Sequence, residues 1–422
     1  MNNDAARGIP RPEHPKPQFY REDWINLNGQ WSFDFDFSVS GMAKEWFKKE
    51  KFDMKITVPF CPESSLSGIG FTDFIPAVWY YRKFTVNKSQ IRKITLLHFG
   101  AVDYFTRVWV NGTEAGTHKG GYSSFCFDIT KLVRAGTNTL HVYAKDDVRS
   151  GSQPAGKQAQ QYMSHDCSYT RTTGIWQTVW LEFVPQVYIK SVKMTPDAAN
   201  NSIFIEAKLS GDSDGADLSA VAYNGDAVFG RGAVKAAGNM AYMCLKLDAI
   251  IWWDIKNPYL YDIKFTLQKG EHHDEVASYF GLRLIEWKNN AMYLNRKPLF
   301  QRLVLDQGFY PDGIYTAPSD AALERDIKLA MDIGFNGARL HQKIFEERFL
   351  YHADRLGYLV WGEHASWCLD INRPDALKNF LPEWLETLER DFNHPSIVGC
   401  CPFNESYDGS RKTETIGIHE KA

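Results

Sequence analysis

The spacing of apolar positions changes grammar twice along this chain. Over roughly the first 185 residues apolar and polar side chains alternate, as in Trp31, Phe33, Phe35 and Phe37 between Ser32, Asp34 and Asp36, which is the period-two pattern of half-buried strands. Similar runs occupy 78–86, 94–99, 106–110, 139–144 and 177–184. Asn111-Gly112 after Val108-Trp109-Val110 is a hairpin signal, because a type I′ turn needs positive φ at both central residues. Many short strands with turn signals and no helical period predict a sandwich or jelly roll over 1–185. From 186 to 283 the pattern repeats at smaller scale, with strands predicted at 187–192, 202–209, 218–223, 241–247 and 261–267 and a turn at Asn224-Gly225. About 100 residues of this kind fit an immunoglobulin-like sandwich.

After 284 strands alternate with helices. A strand over 298–305 precedes a helix that Ser319 can cap, with Leu323, Ile327, Ala330 and Met331 on one face and Gly334 at its end. A strand at 336–340 leads to a helix carrying Phe345, Phe349, Ala353 and Leu356, closed by Gly357; a third strand follows at 358–361. The stretch 375–392 reads as helical, with Pro382 expected to kink it or to start a second segment, and 397–401 is the fourth strand. Four such repeats imply parallel strands with right-handed crossovers. If this is a (β/α)8 barrel, which takes about 250 residues, the region 284–422 holds about half of one, the N-terminal half of a TIM barrel.

Composition adds one signal and removes several classes. Lys plus Arg total 48 against 51 Asp plus Glu, a net charge of −3, so nothing points to nucleic acid, whose binders concentrate positive charge. No stretch approaches 18 consecutive apolar residues, and the N-terminus MNNDAARGIPRPEHPKPQ lacks an apolar leader core, so no membrane segment is expected. The compartment stays open between cytoplasm and, where a leader is removed, periplasm or exterior. The aromatic content of 14%, from 13 Trp, 20 Tyr and 27 Phe, fits large β cores; exposed rings that bind sugar are the alternative. Seven cysteines at 61, 126, 167, 244, 368, 400 and 401 form no CxxC pair and no zinc spacing, which reads as free thiols. No metal and no cofactor are expected. Asn87, Asn111 and Asn200 head glycosylation sequons by form alone; His272-His273 reads as a polar loop, and 153–158 as a polar insertion that either lies free on the surface or leans over a site.

In a barrel the functional groups sit at the C-terminal ends of the strands. That rule selects Asp306 after the first strand, Arg339 and His341 at the second, Glu363 and His364 at the third, and Asn404 with Glu405 after the fourth. Singly, each is equally a helix cap or a satisfied structural residue. Together they form a polar rim, and a pair of carboxylates there suits glycosidic bond cleavage, in which one group protonates the leaving oxygen and the other attacks the anomeric carbon.

The segment Asn393-His394-Pro395-Ser396-Ile397-Val398, followed by Asn404-Glu405-Ser406, resembles the acid/base signature of glycoside hydrolase family 2, which includes β-galactosidases, β-glucuronidases and β-mannosidases. Other segments are similar to that family's in the same order: Trp24-Ile25-Asn26-Leu27-Asn28-Gly29-Gln30-Trp31, Val58-Pro59-Phe60, Trp79-Tyr80-Tyr81-Arg82, Val108-Trp109-Val110-Asn111-Gly112, Gly174-Ile175-Trp176-Gln177 and Gly334-Phe335-Asn336-Gly337-Ala338-Arg339-Leu340-His341. The resemblance implies a jelly-roll sugar-binding domain, an immunoglobulin-like sandwich and a barrel, acting on a carbohydrate as a retaining β-glycosidase. It implies Glu405 as general acid/base, Asn404 as the residue that hydrogen-bonds the sugar 2-hydroxyl, and His341, Arg339, Asp306 and Glu363 as pocket residues. An acid at neutral pH needs a raised pKa, so a partly dry barrel mouth is expected around Glu405.

Two departures from the family pattern follow. The positions of the metal ligands found in large metal-dependent β-galactosidases hold Trp367 and Leu369 here, so that metal is not expected. The family's nucleophile is a Glu at the end of the seventh strand, which 422 residues do not reach; Glu414 and Glu420 match no such strand. The chain by itself is therefore expected to be inactive, or to act as a carbohydrate binder only. Unpaired edges on the first and fourth barrel strands also predict either self-association, as in a homo-oligomer, or a poorly ordered barrel segment.

Overall fold

In the computed structural model, which describes residues 8–197 and 200–406, residues 24–184 form two facing antiparallel sheets. The larger runs in the order Met54–Val58, Gly29–Phe35, Ala77–Val86, Gly136–Lys145, Phe105–Val110, Thr113–Lys119; the smaller runs Trp24–Asn26, Val179–Val184, Ile94–Phe99, Phe125–Asp128. Trp31, Phe33, Tyr80, Leu97, Phe99, Val142 and Leu181 fill the space between them. Asn111 and Gly112 both take positive φ, 51° and 79°, as the turn requires. Phe37 lies beyond its strand and is exposed, so the alternation there ends at Phe35. The aromatic excess is mostly interior: even the outer face of the large sheet carries Trp79, Tyr81, Trp109 and Tyr143, all buried and packed against Met42, Trp46, Phe47 and Phe52.

The second region is a smaller sandwich, with sheets Tyr188–Asp197, Ser202–Ser210, Met240–Lys246 and Ala227–Lys235, Asp217–Asn224, Tyr261–Lys269, His272–Phe280, closed over Ile203, Ile205, Leu218, Ile263, Phe265 and Val276. His272 and His273 open a nine-residue strand rather than a loop.

Beyond it, the predicted strand 298–305 divides in two. Lys297–Pro298 belongs to a small antiparallel sheet with Ala291–Leu294 and Ile285–Lys288, while Leu303–Asp306 starts a parallel sheet. Residues 299–302 cross between the two sheets, and the Arg302 amide is taken by the Asn336 side chain at 2.8 Å. The parallel sheet runs in sequence order, Leu303–Asp306, Gly337–Leu340, Leu359–Glu363, Ile397–Cys401, joined by helices α1 (Asp320–Asp332), α2 (Glu347–Leu356) and α3 (Pro374–Asp391). Ser319 caps α1 by accepting the Ala322 amide, and Gly357 ends α2 in the left-handed conformation at φ 73°. Pro382 neither stops nor splits α3, which runs unbroken for 18 residues; Pro374 in its first turn occupies a position where the missing amide costs nothing. Val304, Ala338, Leu340 and Val360 face α1 and α2 and form that side's core with Leu323, Ile327 and Phe349.

A segment ahead of the first strand ties the regions together. Arg11 makes two hydrogen bonds to Glu346 at 2.9 and 2.8 Å, and Arg21 bridges Glu182 of the first sandwich to Asp274 of the second at 3.2 and 2.9 Å.

Candidate functional site

Parallel pairing sets the site. The register places Asp306 opposite Leu340, Leu340 opposite Gly362 and Glu363 opposite Cys401, so the polar residues that follow these strands emerge on one rim. Side chains alternate along each strand, and alternation sorts the candidates. Arg339, one residue before Leu340, lies on the face opposite the helices. Its Nε donates to Glu363 Oε2 at 2.6 Å and its Nη2 to Asn404 Oδ1 at 2.8 Å. Asn404 Nδ2 in turn donates to Glu405 Oε2 at 3.3 Å. Four of the predicted residues thus form one chain of contacts: Glu363, Arg339, Asn404, Glu405. Charge-assisted bonds of this kind are short and directional. They orient the Asn404 amide so that its NH2 faces Glu405.

His341 joins from the side. It is buried, 3.8 Å from Glu363 Oε1 and 6.4 Å from the Trp367 ring in an edge-on arrangement. Burial lowers its pKa, with Lys157 and Arg339 acting in the same direction and Glu363 against. A neutral imidazole there offers one donor and one acceptor.

Two candidates go elsewhere. Asp306 follows Val304 to the helix side of the sheet; it accepts the Gly308 amide at 2.9 Å, and its carboxyl is raised by burial and opposed by Lys343. His364 is fully buried, stacked on Phe380 at 4.7 Å and near Trp384 at 5.8 Å. Burial drives its pKa down to about 3, so it is a neutral core ring 3.7 Å from the equally buried Glu383. Glu405 itself is exposed and sits at positive φ, 50°; the expected dry surroundings are not built by the described residues. Glu414 and Glu420 lie outside the described residues.

The structure adds residues that the strand-end rule did not select. Gln342 is fully buried at φ 57°. Its backbone amide and its Nε2 both donate to Glu363 Oε1 at 3.0 Å, and its Oε1 accepts the Ser366 and Trp367 amides at 2.9 and 2.8 Å. Ser366 Oγ accepts the Asn404 amide at 3.2 Å, and the Trp367 indole donates to the Asn404 carbonyl at 3.2 Å. These positions lie in loops, where period carries no information. Their one sequence signal was proximity to His341 and Glu363.

The insertion 153–158 is not a free loop. Gln153 through Gln158 are buried, and Ala155 donates its amide to the Trp367 carbonyl at 3.0 Å. Gly156 takes φ +58°, and a Cβ there would stand 2.2 Å from the Gln342 carbonyl oxygen, so only glycine permits this approach. An apolar cavity of about 300 Å³ lies between the sheet and α3, lined by Leu340, Gly362, Trp384, Leu388 and Ile397. Neither Asn404 nor Glu405 borders it. Among the described residues no cluster of three or more His, Cys, Asp or Glu is arranged to hold a metal ion.

Residues 25–185 match the family model "Glycosyl hydrolases family 2, sugar binding domain", and residues 187–283 match the model "Glycosyl hydrolases family 2". The chain belongs to glycoside hydrolase family 2. Among its relatives, a β-galactosidase of Thermoanaerobacter pseudethanolicus is 28% identical over 413 residues, covering 92% of this chain and 52% of the relative. A β-glucuronidase of Rattus norvegicus is 25% identical over 447 residues, covering 94% of this chain and 66% of the relative. This family 2 chain thus spans between half and two thirds of the length of these two proteins. In fold it is similar to a β-glucuronidase from Ruminococcus gnavus, with a TM-score of 0.82 at 19% identity, over 96% of this chain and 71% of that one.

Proposed function

We propose that this family 2 chain is the part of a retaining β-glycosidase that carries the general acid/base, with Glu405 in that role. We assign residues 1–185 to a jelly-roll sugar-binding domain, 186–283 to an immunoglobulin-like sandwich and 284–422 to the first half of a (β/α)8 barrel. One observation carries the reading: Glu363, Arg339, Asn404 and Glu405, drawn from three strand ends, form one hydrogen-bonded chain on a rim where such enzymes place their chemistry.

In this mechanism Glu405 protonates the glycosidic oxygen as the bond to the anomeric carbon breaks, then removes a proton from the water that resolves the glycosyl intermediate. Asn404, oriented by Arg339, supplies a contact to the sugar 2-hydroxyl that strengthens in the oxocarbenium-like transition state. His341 hydrogen-bonds a neighbouring hydroxyl, and Asp306 supports the loop after the first strand. Glu363 does not serve as nucleophile, since it is fully buried and already accepts from Arg339 and Gln342. The nucleophilic carboxylate lies outside the described residues. The substrate class is a β-glucuronide or β-galactoside, the activities named for its relatives.

The test is Glu405→Gln in the protein at its full encoded length. Hydrolysis of β-glycosides with poor leaving groups falls by about 10²- to 10⁴-fold, while 2,4-dinitrophenyl glycosides, which depart without protonation, still form the intermediate, and added azide restores turnover. Equal loss of kcat/KM on both substrate types removes Glu405 from the acid role. Carbohydrate binding without hydrolysis is the second reading, favoured by the exposure of Glu405; it predicts sugar affinity in calorimetry and no turnover of either substrate.

A further inference from the structure

We propose that Lys157, supplied by the first sandwich, is a positioning residue for the acid/base: it clamps Trp367, and Trp367 holds the Asn404-Glu405 segment. The inference rests on the role assigned to Glu405 above, and it adds a control point outside the barrel.

The geometry is a relay of three contacts. The Lys157 ammonium lies 3.3 Å from the centre of the Trp367 ring. The indole N–H of Trp367 donates to the Asn404 carbonyl at 3.2 Å, which is the peptide leading into Glu405. The Trp367 backbone is fixed on both sides, its amide to Gln342 Oε1 at 2.8 Å and its carbonyl to the Ala155 amide at 3.0 Å. Lys157 is itself buried, and among the described residues no carboxylate lies within ion-pair distance of it. Among the described residues its ammonium makes one hydrogen bond, to Cys167 Sγ at 3.3 Å. An ammonium taken out of water without a counter-ion is costly unless something replaces its solvation, and an indole face is the strongest aromatic partner a cation has. The energetic need of the lysine therefore fixes the plane of the indole, and the indole plane fixes where its N–H points. The neighbouring Gly156 brings the loop close enough, since any larger residue would strike the Gln342 carbonyl. Glu405 has no comparable restraint of its own: its one hydrogen bond among the described residues is the 3.3 Å contact from Asn404.

A positioning role differs from a merely structural one in what it perturbs. Lys157→Met keeps the apolar stem and removes the charge; Lys157→Arg keeps a cation that stacks on aromatic rings. In the protein at its full encoded length, Lys157→Met should lower kcat/KM about 10-fold on alkyl β-glycosides, whose leaving group needs the proton, and less than twofold on 2,4-dinitrophenyl glycosides, whose leaving group does not. Lys157→Arg should restore most of the loss. In the 422-residue chain, hydrogen exchange at the Trp367 indole N–H, identified by its disappearance in Trp367→Phe, should accelerate in Lys157→Met. Equal loss of kcat/KM on both leaving groups, or unchanged indole exchange, overturns the proposal. Glu405→Gln run in parallel separates the two readings: if it shows no leaving-group dependence, the acid assignment fails, and the exchange measurement still decides whether Lys157 holds Trp367.

Discussion

Replacing Glu383 by Gln should stabilise the protein at neutral pH and leave it unchanged in acid. Glu383 sits on α3 with its side chain wholly buried against the first sandwich. Its Oε1 accepts the Tyr122 amide at 2.6 Å, and its Oε2 has no hydrogen-bond partner, with His364 Nε2 3.7 Å away. Burial raises this carboxyl to about 8 from an ordinary 4.5, with the Tyr122 amide opposing and the charge of Glu386 adding to the rise. A carboxyl raised in the folded state makes its full contribution to stability below its unfolded pKa and loses it as pH climbs to the folded value. The loss is about 1.4 kcal/mol per pH unit between those limits, hence about 3 kcal/mol at pH 7. Gln keeps an acceptor for Tyr122 and offers an N–H toward His364, which burial keeps neutral. The gap between variant and parent should be near zero at pH 4, widen through pH 5 to 8, and level off above. Scanning calorimetry at half-unit steps reads it as the difference in transition midpoints, with Glu63 and Asp146, also raised by burial, cancelling between the two proteins. A gap independent of pH, or one that narrows as pH rises, refutes the reasoning.

Gly156→Ala should destabilise by about 1–3 kcal/mol, since it combines a left-handed backbone with a Cβ 2.2 Å from a carbonyl oxygen; a thermal midpoint equal to the parent's would show that the loop is not pressed against Gln342. Arg21→Met should cost about 3–5 kcal/mol by removing the cation shared by the buried Glu182 and Asp274; urea unfolding at pH 7 measures it, and a loss below about 1 kcal/mol would contradict it. The first strand of the parallel sheet is a sheet edge and carries exposed Leu305. Light scattering of the 422-residue chain should therefore show association that Leu305→Lys weakens; a monomer at all concentrations contradicts this.

Much of the architecture was legible because it depends on period. Alternation at Trp31, Phe33 and Phe35 needs one buried face, and the apolar positions of 323–331 need one helix stripe; both patterns survive any detail of packing. The strand ends were legible for the same reason, and with them Arg339, His341, Glu363, Asn404 and Glu405. Orientation was less so. Asp306 and Glu363 both end strands, but parity along the strand sends one toward the helices and the other toward Arg339. His364, one residue beyond Glu363, turns into the core against Phe380.

The sequence by itself determined the order of the elements, the turn at Asn111-Gly112, the cap at Ser319, the family, and the rim of residues that the parallel strands present. Local sterics and hydrophobic period settle such features within a few residues of one another. Tertiary structure decided what those residues touch: the bridge of Arg21 between two sandwiches, the burial that lowers His364 and raises Glu383, and the descent of Gly156 and Lys157 onto Gln342 and Trp367. Each of these joins positions more than a hundred residues apart or depends on the exclusion of water, and neither distance in space nor dielectric is written in the spacing of a chain.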